Sequence, residues 1–154
     1  MLRVILYCVL GSFLIVDMDK KLPRGLRNNN PLNIRIGSHW LGEVEDPTDK
    51  EFEQFSCIHY GLRAAFYLLR RYIERYGLKT IPEIVSRWAP ASENNTKGYI
   101  DIVVQLSGIQ KTENLKFSDR EKMVALVDAM AVVECGQHVE RMDIVVGYEM
   151  ARLY

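Results

Sequence analysis

The sequence predicts a mainly helical (α+β) domain of about five helices with one small β-hairpin. Apolar residues recur at spacings of three and four through most of the second half of the chain, which is the period of an amphipathic helix. Glycine, proline and polar capping residues stand between these segments, as expected where helices start and stop. The 154 residues are 48% apolar and 26% charged, close to globular averages, so one packed core is expected.

The N-terminal segment differs from the rest of the chain. Arg3 precedes the apolar run Val4–Val16, which is long enough for a signal-peptide core and too short for an ordinary membrane span. We expect residues 1–17 to be a signal or anchor-like segment, or an artefact of a start site upstream of Met18, in preference to a strand or helix of the core. Residues 18–154 are then the single domain.

A loop and a hairpin are expected next. Residues 24–35 are rich in turn formers, and the three asparagines at 28–30 compete for backbone hydrogen bonds directly before Pro31, which disfavours a helix. We therefore expect a shaped loop. Two extended segments, 34–40 and 51–55, predict the small β-hairpin.

Five helices are expected after the hairpin, each from its apolar period and its end signals. They run from Tyr60 to a stop at Gly77, from a Thr80 cap to Trp88, from an Asn95 or Thr96 cap to a stop at Gly108, from a Ser118–Glu121 capping box to Glu134, and from about Asp143 to Leu153.

Composition excludes several classes of function. Twenty basic and twenty acidic residues give a net charge of zero, so no overall positive field attracts nucleic acid. The three cysteines are far apart and form neither a disulfide framework nor a metal motif. The acidic residues between 43 and 53 do not follow a calcium-loop pattern, and no nucleotide-binding motif is present. No metal or other cofactor is expected.

Glu134 is a candidate general acid. It lies four residues after Met130 and seven after Val127, so the helical period places its carboxyl on the apolar stripe at the C-terminal end of the helix. Burial and the negative end of the helix dipole both disfavour the charged form, so its pKa should be raised, as acid-catalysed cleavage of a glycosidic bond requires. The alternative is that the last turn frays and Glu134 points into water or pairs with an arginine.

The loop before the hairpin carries candidate sugar-binding groups. The amides of Asn30 and Asn33 suit hydrogen bonding to sugar hydroxyls and N-acetyl groups, although loop formation alone explains them equally well. Trp40 has no apolar period around it, so it is the better candidate for an aromatic platform than tryptophan or tyrosine at helical spacing.

Several motifs between Pro23 and about Gly108 point to a family. These motifs are Arg24–Arg35, Trp40-Leu41-Gly42, Phe52-Glu53-Gln54-Phe55, Tyr60–Ala64, Arg87-Trp88-Ala89-Pro90 and Glu93–Ile100. Together they resemble a phage and prophage family usually labelled virion structural protein, whose members look lysozyme-like.

A second similarity suggests the chemistry. Asn29–Arg35 is similar to the Asn-Asn-Leu-Phe-Gly-Ile-Lys loop of bacterial glucosaminidases and lytic transglycosylases, and Glu93–Ile100 distantly resembles a later segment of the transglycosylases. In those enzymes the loop follows a helix that ends in the catalytic Glu. Here the helix that ends at Glu134, with Cys135 where Ser is usual, comes after the loop. We therefore hypothesise a circularly permuted lysozyme-like domain.

The resemblance implies a peptidoglycan-cleaving glycosidase, either a lytic transglycosylase or a muramidase or glucosaminidase. Glu134 is then the general acid and base, and Glu93 is the alternative acid. The expected substrate-binding residues are Asn30, Asn33, Trp40, Asn94, Thr96 and Tyr99. The alternative function is a noncatalytic virion structural or wall-binding protein on the same scaffold.

The same resemblance sets the expected partners and location. The partners are peptidoglycan glycan strands and other virion proteins, with no nucleic acid and no stable membrane span. We expect an exported, periplasmic or virion-associated protein, which is cytoplasmic before release if Met18 is the true start.

Overall fold

The computed structural model describes Tyr7–Val9, Ser12–Leu14 and residues 22–92 and 94–153 of the chain. The mainly helical fold is confirmed, with six α-helices in this part of the chain where about five were predicted. The described elements are β1 Tyr7–Val9, β2 Ser12–Leu14, α1 Arg24–Arg27, α2 Ile58–Arg70, a π-helical turn at Arg71–Arg75, α3 Ile81–Trp88, α4 Thr96–Ser107, α5 Arg120–Cys135 and α6 Arg141–Arg152.

The core forms where α2, α5 and α6 pack together. Helix α2 lies along α6, α5 contacts both α4 and α6, and α3 packs on α4. Gly147 allows α6 to pack closely against α2, because a Cβ at this position would lie 2.4 Å from the Cβ of Leu62 on α2. The largest fully buried side chains on these helices are Leu62, Phe66, Leu69, Met123, Leu126, Met130 and Tyr148.

Most of the predicted helix ends are confirmed. The Thr80 side chain and Glu83 form a capping box at the start of α3. Asn95 caps α4 by accepting a hydrogen bond from the Gly98 amide, and Gly108 ends that helix in the left-handed conformation. Local polar chemistry alone therefore sets these boundaries.

The predicted start of α5 is wrong by one residue. Asp119, not Ser118, is the N-cap, and its carboxylate accepts a hydrogen bond from the Lys122 amide. With Asp119 as the N-cap, Glu121 is the second residue of the helix and not the third, so it is out of register for a capping box. Its carboxylate pairs instead with the guanidinium groups of Arg120 and Arg141.

The region expected to be a loop and a hairpin is built differently. Residues 24–27 form one helical turn before the loop, which sequence analysis missed. The segments 34–40 and 51–55 do not form a regular hairpin, because the second segment divides its hydrogen bonds between two partners. Its Glu53 amide donates to the Ile34 carbonyl, whereas the Val44 amide donates to the Gln54 carbonyl. Two isolated antiparallel bridges result, Arg35 with Phe52 and Glu43 with Phe55.

A regular antiparallel pair lies instead within the N-terminal segment. Tyr7, Cys8 and Val9 pair with Leu14, Phe13 and Ser12 respectively. The assignment of residues 1–17 as a signal or start-site artefact stays a prediction, and Met18 lies outside the described residues. Among the helices within the described ranges, none combines the length and apolar content that a bilayer span needs.

Candidate active site

Glu134 lies in the last turn of α5, at the edge of an open cleft. Gly136 ends the helix with a φ of 73°, and the side chain of Glu134 is half-buried. The cleft has a volume of about 440 Å³. Its lining comes from the loop at 33–40, from α2 and the π-helical turn, and from the end of α3: Asn33, Ile34, Arg35, Gly37, Ser38, Trp40, Phe52, Leu68, Tyr72, Trp88, Ala89, Pro90, Asn94 and Glu134.

Three neutral donors hold the carboxylate of Glu134. The hydroxyl of Tyr99 donates to Oε1 at 3.0 Å, and Nδ2 of Asn33 donates to Oε2 at 3.0 Å. The side chain of Trp88 is the third hydrogen-bond donor. The same Asn33 nitrogen lies 3.2 Å from the Glu134 backbone oxygen, so it also satisfies a carbonyl that the helix end leaves free.

Burial decides the protonation state of this carboxyl. Removal from water raises the pKa of Glu134 above its ordinary value, and the hydrogen bonds from Asn33, Tyr99 and Trp88 together with the charge of Arg35 offset only part of that rise. Burial, with the charge of Glu134, also raises the pKa of Tyr99, which stays a neutral donor. The site therefore combines a carboxylic acid with a ring of donors that can stabilise the carboxylate once the proton has left.

The three consecutive asparagines form the support of the loop rather than its binding surface. Asn28 donates to Asp49, and Asn29 donates to the Phe55 carbonyl. Asn30 is 0% exposed, donates to the Ile34 and Glu53 carbonyls and accepts from the Ile34 amide. The asparagines thus tie the loop to the segment 49–55 behind it.

Asn33 reaches the cleft because the loop is fixed against the end of α5. Its φ of 49° is in the left-handed region, which asparagine tolerates better than most residues. A Cβ at Gly25 would lie 2.6 Å from Oδ1 of Asn33 and 2.6 Å from Sγ of Cys135, so only glycine fits there. Burial raises the pKa of Cys135 to about 11, and its thiol donates to the Pro31 carbonyl at 3.2 Å. These contacts join the loop to the C-terminal end of α5, which carries Glu134.

Aromatic side chains form the walls of the cleft. The ring of Trp40 packs edge-on against Tyr67, with centroids 5.9 Å apart. Tyr72 packs edge-on against Trp88, with centroids 6.3 Å apart. Glu53 supports the wall from behind, since its carboxylate accepts a hydrogen bond from the Gly37 amide at 3.2 Å. Flat apolar surfaces beside polar groups suit a sugar chain.

The structure brings together most of the predicted site. Glu134 and its partners Asn33 and Tyr99 are in direct contact, and Trp40 and Asn94 line the same cleft. The alternative in which Glu134 points freely into water is excluded by these contacts.

Two predicted binding residues have other roles. The amide of Asn30 is fully buried and fully used, so it cannot contact substrate as the sequence analysis expected. Thr96 is buried, and its hydroxyl donates to the Ala89 carbonyl at 2.6 Å, which fixes the turn before α4. Glu93 lies outside the described residues.

Sequence reasoning missed three contributors to the site. Trp88 was treated as a core residue, although Pro90 follows it closely and ends the helix, which leaves the indole at an edge. Arg35 and Tyr72 line the cleft with no pattern that distinguishes them from surface or core residues.

Glu134 is the one carboxylate among the described residues that line the cleft. Glu45 and Asp46, which belong to the acidic segment between 43 and 53, are not in the lining. In the parts of the chain that the structure describes, no group of three histidine, cysteine or acidic side chains could hold a metal ion.

The sequence matches no family model. The chain is 41% identical over 133 residues to Protein P5 of Pseudoalteromonas phage PM2, an alignment that covers 84% of this chain and 81% of that protein.

Proposed function

The chain belongs to the family of Protein P5 of Pseudoalteromonas phage PM2, and from the geometry of its cleft we propose that it cleaves the glycan strands of bacterial peptidoglycan, with Glu134 as general acid and base. The phage relationship expected from the sequence motifs is thereby supported. The glycosidase activity and the permuted lysozyme-like arrangement are the proposal.

The observation that carries the proposal is that Glu134 opens onto the cleft with a raised pKa. A carboxyl whose pKa is raised by burial stays protonated at pH values where a free glutamate is ionised. It opens onto a cleft, where it can reach the oxygen of a bound sugar linkage. A protonated carboxyl in such a place is what a glycosidase uses to protonate the leaving oxygen.

The donors around the carboxylate fit the next stage of the reaction. When the proton moves to the glycosidic oxygen, the bond between that oxygen and C1 breaks, and positive charge develops on the sugar ring. Asn33, Tyr99 and Trp88 are already aimed at the carboxylate that remains. Because they need no reorganisation, the charge that forms during the step is stabilised at once.

The lining favours internal attack over attack by water. With no second carboxylate among the described lining residues to activate water, the C6 hydroxyl of the muramyl residue forms the new bond to C1. Its proton passes to the Glu134 carboxylate, which restores the acid and leaves a 1,6-anhydro product. A carboxylate from Glu93, which directly precedes the lining residue Asn94, would favour hydrolysis instead.

The placement of the asparagine loop supports the permuted arrangement. The loop at 29–35 and the helix that ends in Glu134 are in contact through Asn33, although 101 residues separate the two side chains. In the enzymes that the loop resembles, these two parts follow each other directly. Packing of the helix end against the loop would therefore recreate the same site from a different chain order.

Digestion of purified peptidoglycan followed by mass spectrometry tests the proposal. We expect muropeptides with a 1,6-anhydro end, one water lighter than reducing ends, and no product from Glu134→Gln. The matched control is Glu140→Gln, an exposed glutamate outside the cleft, which should cleave like the wild type. Products with reducing ends would replace the transglycosylase mechanism by hydrolysis. Binding without any cleavage by the wild type would refute the enzyme and support the wall-binding alternative.

A comparison of two glutamates identifies the acid. We expect Glu134→Gln to lower the rate by orders of magnitude, whereas Glu93→Gln, if that residue only shapes the cleft, lowers it much less. The reverse order would assign the acid to Glu93 and leave Glu134 a structural role.

A further inference from the structure

An exposed cluster of arginines surrounds one aromatic ring beside the cleft. The guanidinium carbons of Arg71, Arg75 and Arg87 lie 5.9, 6.0 and 5.9 Å from the ring centroid of Tyr76. Arg71 also donates a hydrogen bond to the Tyr76 hydroxyl at 3.1 Å, and this tyrosine is 45% exposed. We call these three arginines and Tyr76 the arginine patch.

The charge of the arginine patch is not neutralised within the described chain. None of its three arginines forms an ion pair with a described carboxylate. The nearby Glu74 is paired with Arg70 at 2.9 Å, and Glu83 is held by the capping box of α3. Three like charges around one ring repel each other, so binding of an anion there would be favourable.

A row of aromatic rings connects the arginine patch to the cleft. The ring of Tyr72 lies 6.4 Å from Tyr76 and 6.3 Å from Trp88, and its hydroxyl interacts with Arg87. Tyr72 and Trp88 line the cleft, and Trp88 also donates to Glu134. A polymer in the cleft therefore passes close to the patch.

A second groove lies along the end of α2 and the π-helical turn that follows it. It has a volume of about 250 Å³ and is lined by Tyr67, Arg70, Arg71, Glu74 and Arg75. Tyr67 packs against Trp40, which lines the cleft, so this groove also lies beside the cleft. The groove offers a side channel for a substituent of the polymer rather than for the polymer itself.

We propose that the arginine patch binds the free carboxylates of the peptide stems that peptidoglycan carries, with the stem in the groove beside it. This inference rests on the proposed function. Where a stem is attached, the lactyl carboxyl of the muramyl sugar is used in the amide bond to it, so the free carboxylates lie on the stem, and a guanidinium pairs with a carboxylate through two parallel hydrogen bonds. The patch would thus set how the glycan lies in the cleft and favour strands that bear stems.

Binding to two forms of the same insoluble peptidoglycan tests this inference without turnover. One form is native, and in the other the stem carboxylates are converted to amides with a carbodiimide. Cosedimentation gives a Kd for each form, using Glu134→Gln as the parent so that nothing is cleaved. We expect the parent to bind the native form about tenfold more tightly, a preference that weakens in high salt.

The decisive variant removes two charges of the arginine patch. Arg75→Gln combined with Arg87→Gln should weaken binding to native peptidoglycan about tenfold and bring the ratio of the two Kd values close to one. Lys111→Gln with Lys116→Gln removes the same charge outside the patch and the cleft lining and should leave the ratio unchanged. An unchanged ratio in the arginine variant, or an equal loss on both forms, overturns the proposal.

The two proposals fail in different ways. If protein with Glu134 intact cleaves neither form, the glycosidase activity is refuted while the Kd ratio still decides the patch. If protein with Glu134 intact cleaves both forms, and the two arginine substitutions made in that active protein leave its ratio of kcat/KM on the two forms unchanged, the activity stands and the patch is refuted.

Discussion

Replacement of Tyr99 by phenylalanine should raise the pKa of Glu134 further. The substitution removes the hydroxyl that donates to Oε1 at 3.0 Å and leaves the ring, and hence the packing, in place. Tyr99 is only 6% exposed, so water does not easily replace the lost donor. Because the hydrogen bond favours the ionised carboxyl more than the neutral one, its loss makes ionisation harder.

The size of the effect follows from the strength of that bond. A hydrogen bond to a charged group contributes about 1.5 to 3 kcal/mol, and one between neutral groups about 0.5 to 1.5 kcal/mol. The midpoints of these ranges differ by about 1.2 kcal/mol, which corresponds to about one pKa unit. Asn33 and Trp88 remain as donors, so the carboxyl keeps part of its stabilisation.

The pKa can be read directly by NMR. The carboxyl carbon of Glu134, assigned by its absence in Glu134→Gln, should titrate about one unit higher in Tyr99→Phe than in the wild type. In activity, the alkaline limb of the kcat/KM profile should move to higher pH by the same amount, because the acid must be protonated.

A second buried tyrosine provides the control. The hydroxyl of Tyr148 donates to the Phe117 carbonyl at 2.8 Å and has no contact with Glu134. Tyr148→Phe should lower the free energy of unfolding by about 1 kcal/mol and leave the pKa of Glu134 unchanged. A Glu134 pKa that stays constant or falls in Tyr99→Phe would refute the reasoning.

Three further changes test how the site is supported. Gly25→Ala places a Cβ 2.6 Å from both Asn33 and Cys135, so we expect a loss of about 2 kcal/mol in urea unfolding; unchanged stability would contradict the packing. Asn30→Ala should cost about 3 kcal/mol by the same measurement, clearly more than Asn33→Ala, because it leaves the buried Glu53 carbonyl without its donor and the Ile34 amide without its acceptor. The melting temperature of Glu134→Gln should rise relative to that of the wild type as the pH increases from about 4 to about 8. The pKa of the wild-type carboxyl is higher in the folded protein than in the unfolded chain. The stability that the protonated carboxyl contributes is therefore lost as the pH rises through the folded pKa. A constant difference would show that burial does not shift the pKa.

Much of the helical fold could be predicted from the sequence because its signals are local. The capping box at Thr80, the Asn95 cap and the glycine at 108 each act within one turn of chain. The N-cap of α5 is Asp119 and not Ser118, which shows the limit of such signals. The predicted capping glutamate, Glu121, pairs with Arg141, a contact that forms only in the tertiary structure.

The hairpin region could not be predicted, because its pairing depends on side chains distant in sequence. Asn28 reaches Asp49, Asn29 reaches Phe55 and Asn30 reaches Glu53, so each asparagine connects segments more than twenty residues apart. A pattern of extended residues does not reveal such crosslinks. The sequence therefore indicated a polar binding loop where the chain places a buried support.

The position of Glu134 was predictable from helical periodicity, but its environment was not. The apolar stripe of α5 indicated burial, whereas the loop that brings Asn33 against it comes from the other end of the chain. That contact changes the expected chemistry. A carboxyl on an apolar stripe alone would remain protonated and would be a poor acid, since nothing would stabilise it after proton loss. Burial raises its pKa and the three donors limit the rise, so the same groups that surround the protonated carboxyl would also stabilise the carboxylate if the proposed proton transfer takes place.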